Sequence, residues 1–288
     1  MSSSLTPEQW RPLARAHAQR VDQLTAGRRR RRALGHRHPV EDFLFEYYNH
    51  RPAQLRRWHP GPGVVLVDAA GQHGTWVGYL TDSAGSAWVD VEGVSARRSS
   101  TIGFVQGLLR ATLARDPHLG CFGLHEWAMV YRLEQGQRRH EQLPLRLGQD
   151  ETDAVVERHQ VRCSHYDAYR FFTGAAAPRN HLRPTRETQT ELEQPGCLHA
   201  GMDVYKWCFK LGPLVPSDLT LAAFELALEI RELDMAASPY DVSAYGIAAV
   251  PVETAVGKAD YLARQRDFAN RSNALRSRLI EVLSALPR

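Results

Sequence analysis

The spacing of hydrophobic positions changes twice along this chain, from helical to strand-like and back to helical. Residues 5–24 favour a helix, with Thr6 placed to cap it and Pro7 at its first position. A second helical spacing runs over Val40–Asn49, and Pro52–Trp58 forms a further short helical segment. The first 60 residues are therefore predicted to be largely helical.

Short β-like pieces follow, at Val64–Asp68, Thr75–Leu80 and Ala87–Val91. They are rich in Val, Leu and aromatic side chains and are separated by turns that contain Gly and Asp. This pattern predicts a small antiparallel sheet in the N-terminal half of the chain.

Helical spacing then returns and dominates the rest of the sequence. Helices are predicted from Thr101 to Arg115, from a cap at Ser217 onward, and from Gly257 to Leu286. Between them, the polar segment Pro178–Pro195 has the length of a binding loop or a lid. The expected fold class is α+β, predominantly helical, with a basic arm or helix over residues 1–37 and a single globular catalytic domain over residues 38–288.

Composition adds limits to this picture. The chain has 288 residues, 43% hydrophobic and 24% charged, which is typical of a protein with a real core. It lacks the long apolar run of a membrane span and the pattern of a secretory signal, and four cysteines are too few for a disulfide scaffold. We therefore expect a cytoplasmic protein without membrane contact, whose oligomeric state the sequence leaves open.

Positive charge is concentrated near the N-terminus, in an unbroken run of five arginines. Such a density attracts polyanions through counterion release, so DNA is an expected partner. The alternative is a solvated face that pairs with Glu41, Asp42 and Glu46. The candidate nucleic-acid-binding residues are Arg28, Arg29, Arg30, Arg31 and Arg32.

Two short stretches repeat the same order of chemistry: Cys-x-His, then Asp-x-Tyr, then a basic and an aromatic residue. The first begins at Cys163 and the second at Cys197. Because every polar group in them needs a partner, we expect the two stretches to converge on one site. Their polar and aromatic members are Cys163, His165, Asp167, Tyr169 and Arg170 in the first, and Cys197, His199, Asp203, Tyr205, Lys206 and Trp207 in the second.

Three kinds of site fit these residues. Cys163, His165, Cys197 and His199 form a Cys2His2 set that suits zinc, and buried structural thiols are the alternative. A site for another divalent metal could use nitrogen and oxygen ligands, since His199 and Asp203 stand at i and i+4 on a predicted helix. The alternative is that these two side chains hydrogen-bond each other and hold the helix. The ligands for that site would come from His125, Glu126, His165, Asp167, His199 and Asp203.

The third kind is acid–base catalysis on a nucleobase, which needs aromatic faces and a carboxylate that orients water. Asp203 or Asp167 would orient water, and His199 or His165 would share protons, with Glu126 as a further candidate. Tyr169, Tyr205 and Trp207 would hold the base, and Trp127, Arg170 and Lys206 complete the candidate substrate-binding residues.

Four longer motifs carry a family resemblance. They are His125-Glu-Trp-Ala-Met-Val-Tyr131, Cys163-x-His-Tyr-Asp-Ala-Tyr-Arg-Phe-Phe172, Glu193-Gln-Pro-Gly-Cys-Leu-His-Ala-Gly-Met-Asp-Val-Tyr-Lys-Trp207 and Asp234-Met-Ala-Ala-Ser-Pro-Tyr-Asp241. From about residue 38 onward, the chain resembles a bacterial family commonly labelled 3-methyladenine DNA glycosylase.

The resemblance implies a hydrolase in DNA repair that cleaves the N-glycosidic bond of an alkylated purine. No catalytic residue is carried over from that family, so the roles given above depend on residue chemistry. Two other functions stay open: a metal-dependent enzyme that acts on a small molecule through the His, Glu and Asp cluster, and a non-catalytic nucleic-acid-binding protein.

Overall fold

A computed structural model describes residues 3–133 and 142–287 of the chain. It is 57% helical, with one small sheet in the N-terminal half, which confirms the α+β class. None of the described helices combines the length and the apolar character needed to cross a bilayer. The helices are α1 (Pro7–Leu24), α2 (Ala26–Ala33), α3 (Phe43–Tyr47), α4 (Pro52–Leu55), α5 (Val91–Arg97), α6 (Ser99–Leu113), α7 (Leu124–Ala128), α8 (Gly148–Arg158), α9 (Tyr166–Tyr169), α10 (Gln189–Leu192), α11 (Leu198–Leu211), α12 (Ser217–Ala236) and α13 (Ala255–Ser284).

The chain divides into two compact units, and each is assembled from separated segments. Unit 1 comprises Met1–Gly107, Val204–Glu225 and Leu275–Arg288, and unit 2 comprises Leu108–Asp203 and Leu226–Ala274. The predicted division into an arm of residues 1–37 and a domain of residues 38–288 stays a prediction.

Unit 1 contains the sheet, whose strands are β1 (Ser3–Leu5), β2 (Val64–Leu66), β3 (Tyr79–Thr81) and β4 (Ala87–Val89). Their order is β1-β2-β4-β3. Strand β4 pairs antiparallel with both β2 and β3, as the sequence predicts. The sheet is nevertheless mixed, because β1 adds a parallel edge to β2. The prediction of a purely antiparallel sheet is wrong on this point, since β1 is too short to show an alternating pattern.

Local chemistry explains two boundaries in unit 1. Pro7 opens α1, and the backbone N–H of Thr6 donates to the side chain of Gln9 at 2.9 Å. The turn between β3 and β4 is closed by Asp82, whose carboxylate accepts from the N–H groups of Ala84 and Ser86 at 3.0 and 2.8 Å. The start of α1 and the β3–β4 turn could both be predicted from the sequence, because the residues that determine them are close neighbours in the chain.

Unit 1 also buries histidines beside tyrosine hydroxyls. His50 Nδ1 lies 2.6 Å from the hydroxyl of Tyr205, and its ring stacks on Phe209. Burial lowers the pKa of His50 to about 4, so the folded protein holds this imidazole neutral.

We expect unit 1 to lose stability in mild acid. The pKa of His50 is lower in the folded chain than in the unfolded chain, so its contribution is complete above pH 6.5 and is lost as the pH falls toward 4. At pH 5 this loss is about 2 kcal/mol in the free energy of unfolding. Urea unfolding at several pH values should show a flatter pH dependence for His50→Gln, whereas His36→Gln, at an exposed position, should follow the wild type.

Candidate functional site

Helix α11 carries two of the predicted site residues in unit 2, His199 and Asp203, one turn apart. Gly201 lies between them and lets the helix approach its neighbours. A Cβ atom at this position would lie 2.8 Å from Ile230 Cδ1 and 2.9 Å from Ser272 Oγ. The close contact therefore places the His199 and Asp203 end of α11 deep in unit 2, where both residues are buried.

The first group of potential ligands joins three elements of unit 2. His125 lies on α7, His199 on α11 and Asp234 on α12. One ligand atom from each lies within 4.8 Å of the other two. His125 Nε2 is 2.9 Å from Asp234 Oδ1, and the rings of His125 and His199 meet edge to face with centroids 4.5 Å apart.

The second group lies beside the first. It consists of His165, Glu193 and Asp203, again with one ligand atom each within 4.8 Å of the others. His165 Nε2 is 3.2 Å from Asp203 Oδ2 and 3.7 Å from Glu193 Oε2. The ring centroids of His165 and His199 are 5.3 Å apart, so the two groups are neighbours. The predicted convergence of the two repeated stretches is confirmed for His165, which lies beside Asp203 and His199, and their role as a site stays a prediction.

Two buried imidazole nitrogens in these groups have no hydrogen-bond partner within residues 3–133 and 142–287. They are Nδ1 of His165 and Nδ1 of His199. A buried polar atom left without a partner costs free energy, so each nitrogen is suited to a water molecule or a metal ion. Burial lowers the pKa of His199 well below its usual value, and the neutral imidazole that results is the form that ligates a metal.

An ion-pair network supports the first group. Arg231 Nη1 lies 2.6 Å from Asp234 Oδ2 and 3.1 Å from Glu126 Oε1. Burial alone would raise the pKa of Asp234, but contact with His125 and Arg231 holds it below its ordinary value, so this carboxylate is ionised. Burial alone would lower the pKa of His125, but the neighbouring carboxylate of Asp234 more than offsets burial, so the pKa of His125 lies above its ordinary value. Without a metal, the same contacts form a self-contained charge network.

The cysteines of unit 2 lie nearby but belong to neither group among the described residues. Cys121, Cys163 and Cys197 share a cavity of about 20 Å³ with His125. Burial raises the pKa of Cys163 to about 12 and that of Cys197 well above its usual value, so both thiols are protonated near neutral pH. The histidines of the predicted Cys2His2 set therefore lie with carboxylates instead of with thiols.

Several predicted site residues of unit 2 lie outside both groups. Asp167 forms a partly exposed ion pair with Arg170 at 3.2 Å. Tyr169 packs against Phe172, and the buried Trp127 donates its indole N–H to the carbonyl of Ala237. These contacts are sufficient to explain the residues as parts of the fold.

The remaining predicted substrate-binding residues belong to unit 1. The hydroxyl of Tyr205 meets His50, and Lys206 Nζ lies 4.4 Å from the ring centroid of Trp207. The edge of Trp207 in turn contacts Phe104. Their part in a substrate site stays a prediction.

The arginine run of unit 1 is partly used inside the fold. Arg28 pairs with Asp42, Arg29 with Asp22, and Arg31 with Glu41. Arg30 and Arg32 make no ion pair with any described residue. Three arginines of the run are thus engaged within unit 1, two of them with the Asp42 and Glu41 that the sequence offered as partners, and binding of DNA stays a prediction.

Three important residues of the site were missed by sequence reasoning: Asp234, Arg231 and Glu193. The signal for the first two was present, since Arg231 and Asp234 stand three residues apart inside an apolar helix, where a charge needs a partner. Glu193 stands in the motif before Cys197 and was not considered as a ligand. No protein-family model, curated protein or solved structure matched this chain when it was compared with them.

Proposed function

We propose that unit 2 is the catalytic part of a metal-dependent enzyme that holds two neighbouring divalent ions and acts on a small molecule. The observation that carries this proposal is the pair of adjacent ligand groups, each with three buried side chains within 4.8 Å. Nδ1 of His199, which has no hydrogen-bond partner among the described residues, supports the first group, whereas in the second group it is Nε2 of His165 that faces the carboxylates.

The ligand types narrow the choice of metal. Imidazole combined with carboxylate suits Zn²⁺, Fe²⁺ or Mn²⁺, whereas a site for a soft ion would favour thiolates. Three protein ligands per ion leave a coordination position open, which is the property that distinguishes catalytic from structural zinc sites. The second group, with His165, Glu193 and Asp203, offers two carboxylates, whereas the first offers one.

The surroundings limit the substrate. The cavity that reaches His125 has a volume of about 20 Å³, enough for about one water molecule. Bound metal would supply Lewis-acid chemistry and lower the pKa of a coordinated water. The ion pairs of Arg231 fix the carboxylates of Asp234 and Glu126 in place, so the chain itself orients one side of the centre.

Metal stoichiometry tests this proposal. The purified chain, stripped with a chelator, is reconstituted separately with Zn²⁺, Mn²⁺ and Fe²⁺, dialysed, and analysed by elemental mass spectrometry. We expect two ions per chain for the wild type and one for His199→Gln, because His199 belongs to only one group.

His181→Gln is the matched control, since this exposed histidine lies outside both groups. It should retain both ions. A wild-type protein that melts normally but retains no divalent ion after dialysis would contradict the proposal. The buried His, Asp and Glu side chains would then be explained by the ion pairs among them alone.

The glycosylase function implied by the family resemblance stays a prediction, as does binding of DNA by Arg28–Arg32. The cavity beside His125 holds about one water molecule, so chemistry on any larger substrate at this cluster, a small molecule or a nucleobase, would need the site to open.

A further inference from the structure

A groove on unit 1 combines arginine and tryptophan side chains. Its volume is about 440 Å³, within the range of small-ligand sites. No Asp or Glu side chain among the described residues lines this groove. Its charged and aromatic lining residues are Arg11, Arg15, Arg56, Arg57, Trp58 and Trp76.

The sequence of α1 creates the space. Ala14 and Ala18 follow Trp10 at four-residue intervals, so small side chains continue the face on which the tryptophan lies. Trp10 itself is buried and donates its indole N–H to the carbonyl of Val67 at 2.9 Å, which makes it a fixed wall. The groove is therefore built into the packing of the helix.

Two of its four arginines are available to an anion, whereas Arg56 pairs with Asp22 and Arg11 with Asp68. Arg15 makes no hydrogen bond or ion pair with any described residue. Arg57 lies 5.3 Å from the ring centroid of Trp76 and makes no ion pair with the described residues either. Arg11 pairs with Asp68 at the surface, where an ion pair contributes little.

Its tryptophans are partly exposed and present aromatic surface to the groove. Trp58 and Trp76 are half-buried, and His73 packs against both of them from within unit 1. Arg57 lies over the ring of Trp76, so a base that stacks on this tryptophan would displace the guanidinium toward its own phosphate. Aromatic faces beside free guanidinium groups are the recurring features of single-strand nucleic-acid sites, where bases stack and phosphates meet cations.

We infer that this groove binds a single strand of nucleic acid, with a base against Trp76 and phosphates on Arg15 and Arg57. Duplex DNA keeps its bases stacked inside, so the tryptophans would gain nothing from it. Residues 1–60 carry twelve arginines and five acidic residues, an excess of charge that would attract a long polyanion from solution. The inference is independent of the metal centre proposed for unit 2.

The pocket beside the arginine run is the less suitable place. It is lined by Arg28, Arg32 and Arg37, but Asp42 and Glu46 share its wall. Those carboxylates would repel a phosphate backbone, whereas no carboxylate of the described residues lines the groove between Arg15, Arg57 and Trp76.

The test is fluorescence anisotropy with a labelled twelve-residue oligothymidine at 50 and 200 mM NaCl. Arg15→Gln/Arg57→Gln should weaken binding about tenfold and flatten the slope of log affinity against log salt by about 1.4, or 0.7 for each phosphate contact. Trp76→Ala should weaken binding about 5- to 100-fold and leave the salt slope unchanged.

Arg30→Gln/Arg32→Gln is the matched control, because it removes the same charge from exposed arginines outside the groove. It should keep most of the affinity. A control that loses as much as the groove variant would overturn the inference in favour of the run, and so would a duplex that binds more tightly than the strand. AMP that competes as strongly as the oligonucleotide would overturn it in favour of a single-nucleotide pocket, and a failure of oligothymidine to bind at 50 mM NaCl would overturn it altogether.

Discussion

Arg231→Leu should destabilise unit 2 by about 3–5 kcal/mol, because it leaves the carboxylates of Asp234 and Glu126 buried without their shared cation. Arg231 is 1% exposed, so water cannot replace the guanidinium. A loss of this size is a large share of the stability of an ordinary domain. Urea unfolding monitored by tryptophan fluorescence measures it directly.

Arg271→Gln provides the comparison. Arg271 bridges Glu229 and Asp267 at the surface of unit 2, with 41% of its side chain exposed, and its removal should cost less than about 1 kcal/mol. If Arg231→Leu alone fails to fold, adding Glu126→Gln and Asp234→Asn should recover part of the stability, since no buried charge is then left unmatched. An Arg231→Leu protein within 1 kcal/mol of the wild type would contradict the importance of this network.

Asp203→Asn should remove one of the two proposed metal ions. Asp203 is 1% exposed and lies in the group with His165 and Glu193, and an amide of the same shape cannot supply the anionic ligand. A ligand that binds only the folded state at a hundred times its dissociation constant adds about 2.7 kcal/mol to stability. Saturating metal should therefore raise the stability of the wild type about twice as much as that of Asp203→Asn.

Asp167→Asn should behave like the wild type in the same titration, because Asp167 lies outside both groups and pairs with Arg170 at a partly exposed position. Elemental analysis and melting curves, taken with and without metal, provide both readouts. Two bound ions in Asp203→Asn would place the second ion elsewhere, and loss of metal from Asp167→Asn would extend the centre toward α9.

The sequence was sufficient where a structural signal is local. Thr6 and Pro7 at the start of α1, and the Gly- and Asp-containing turns between strands, each act on neighbouring backbone groups. The convergence of His165 with Asp203 could also be predicted, because the repeated order of polar residues indicated a common site. The parallel edge of the sheet could not, since β1 spans three residues and gains its order only by pairing with β2.

The composition of the ligand groups was harder to predict because it depends on long-range packing. His125 and Asp234 are separated by 109 positions in the sequence, and no spacing rule connects α7 with α12. The repeated Cys-x-His order at Cys163 and Cys197 suggested that both thiolates bind a metal. The positions of these side chains depend on how the segment before α9 and the start of α11 pack, which the sequence order does not reveal. Burial then keeps those thiols protonated.

Gly201 makes the two ligand groups depend on one packing contact. His199 belongs to one group and Asp203 to the other, and the residue between them touches Ile230 and Ser272 too closely to accept any side chain without a shift. A side chain at position 201 would press on the ends of the Ile230 and Ser272 side chains, so one substitution would disturb the packing beside both groups at the same time.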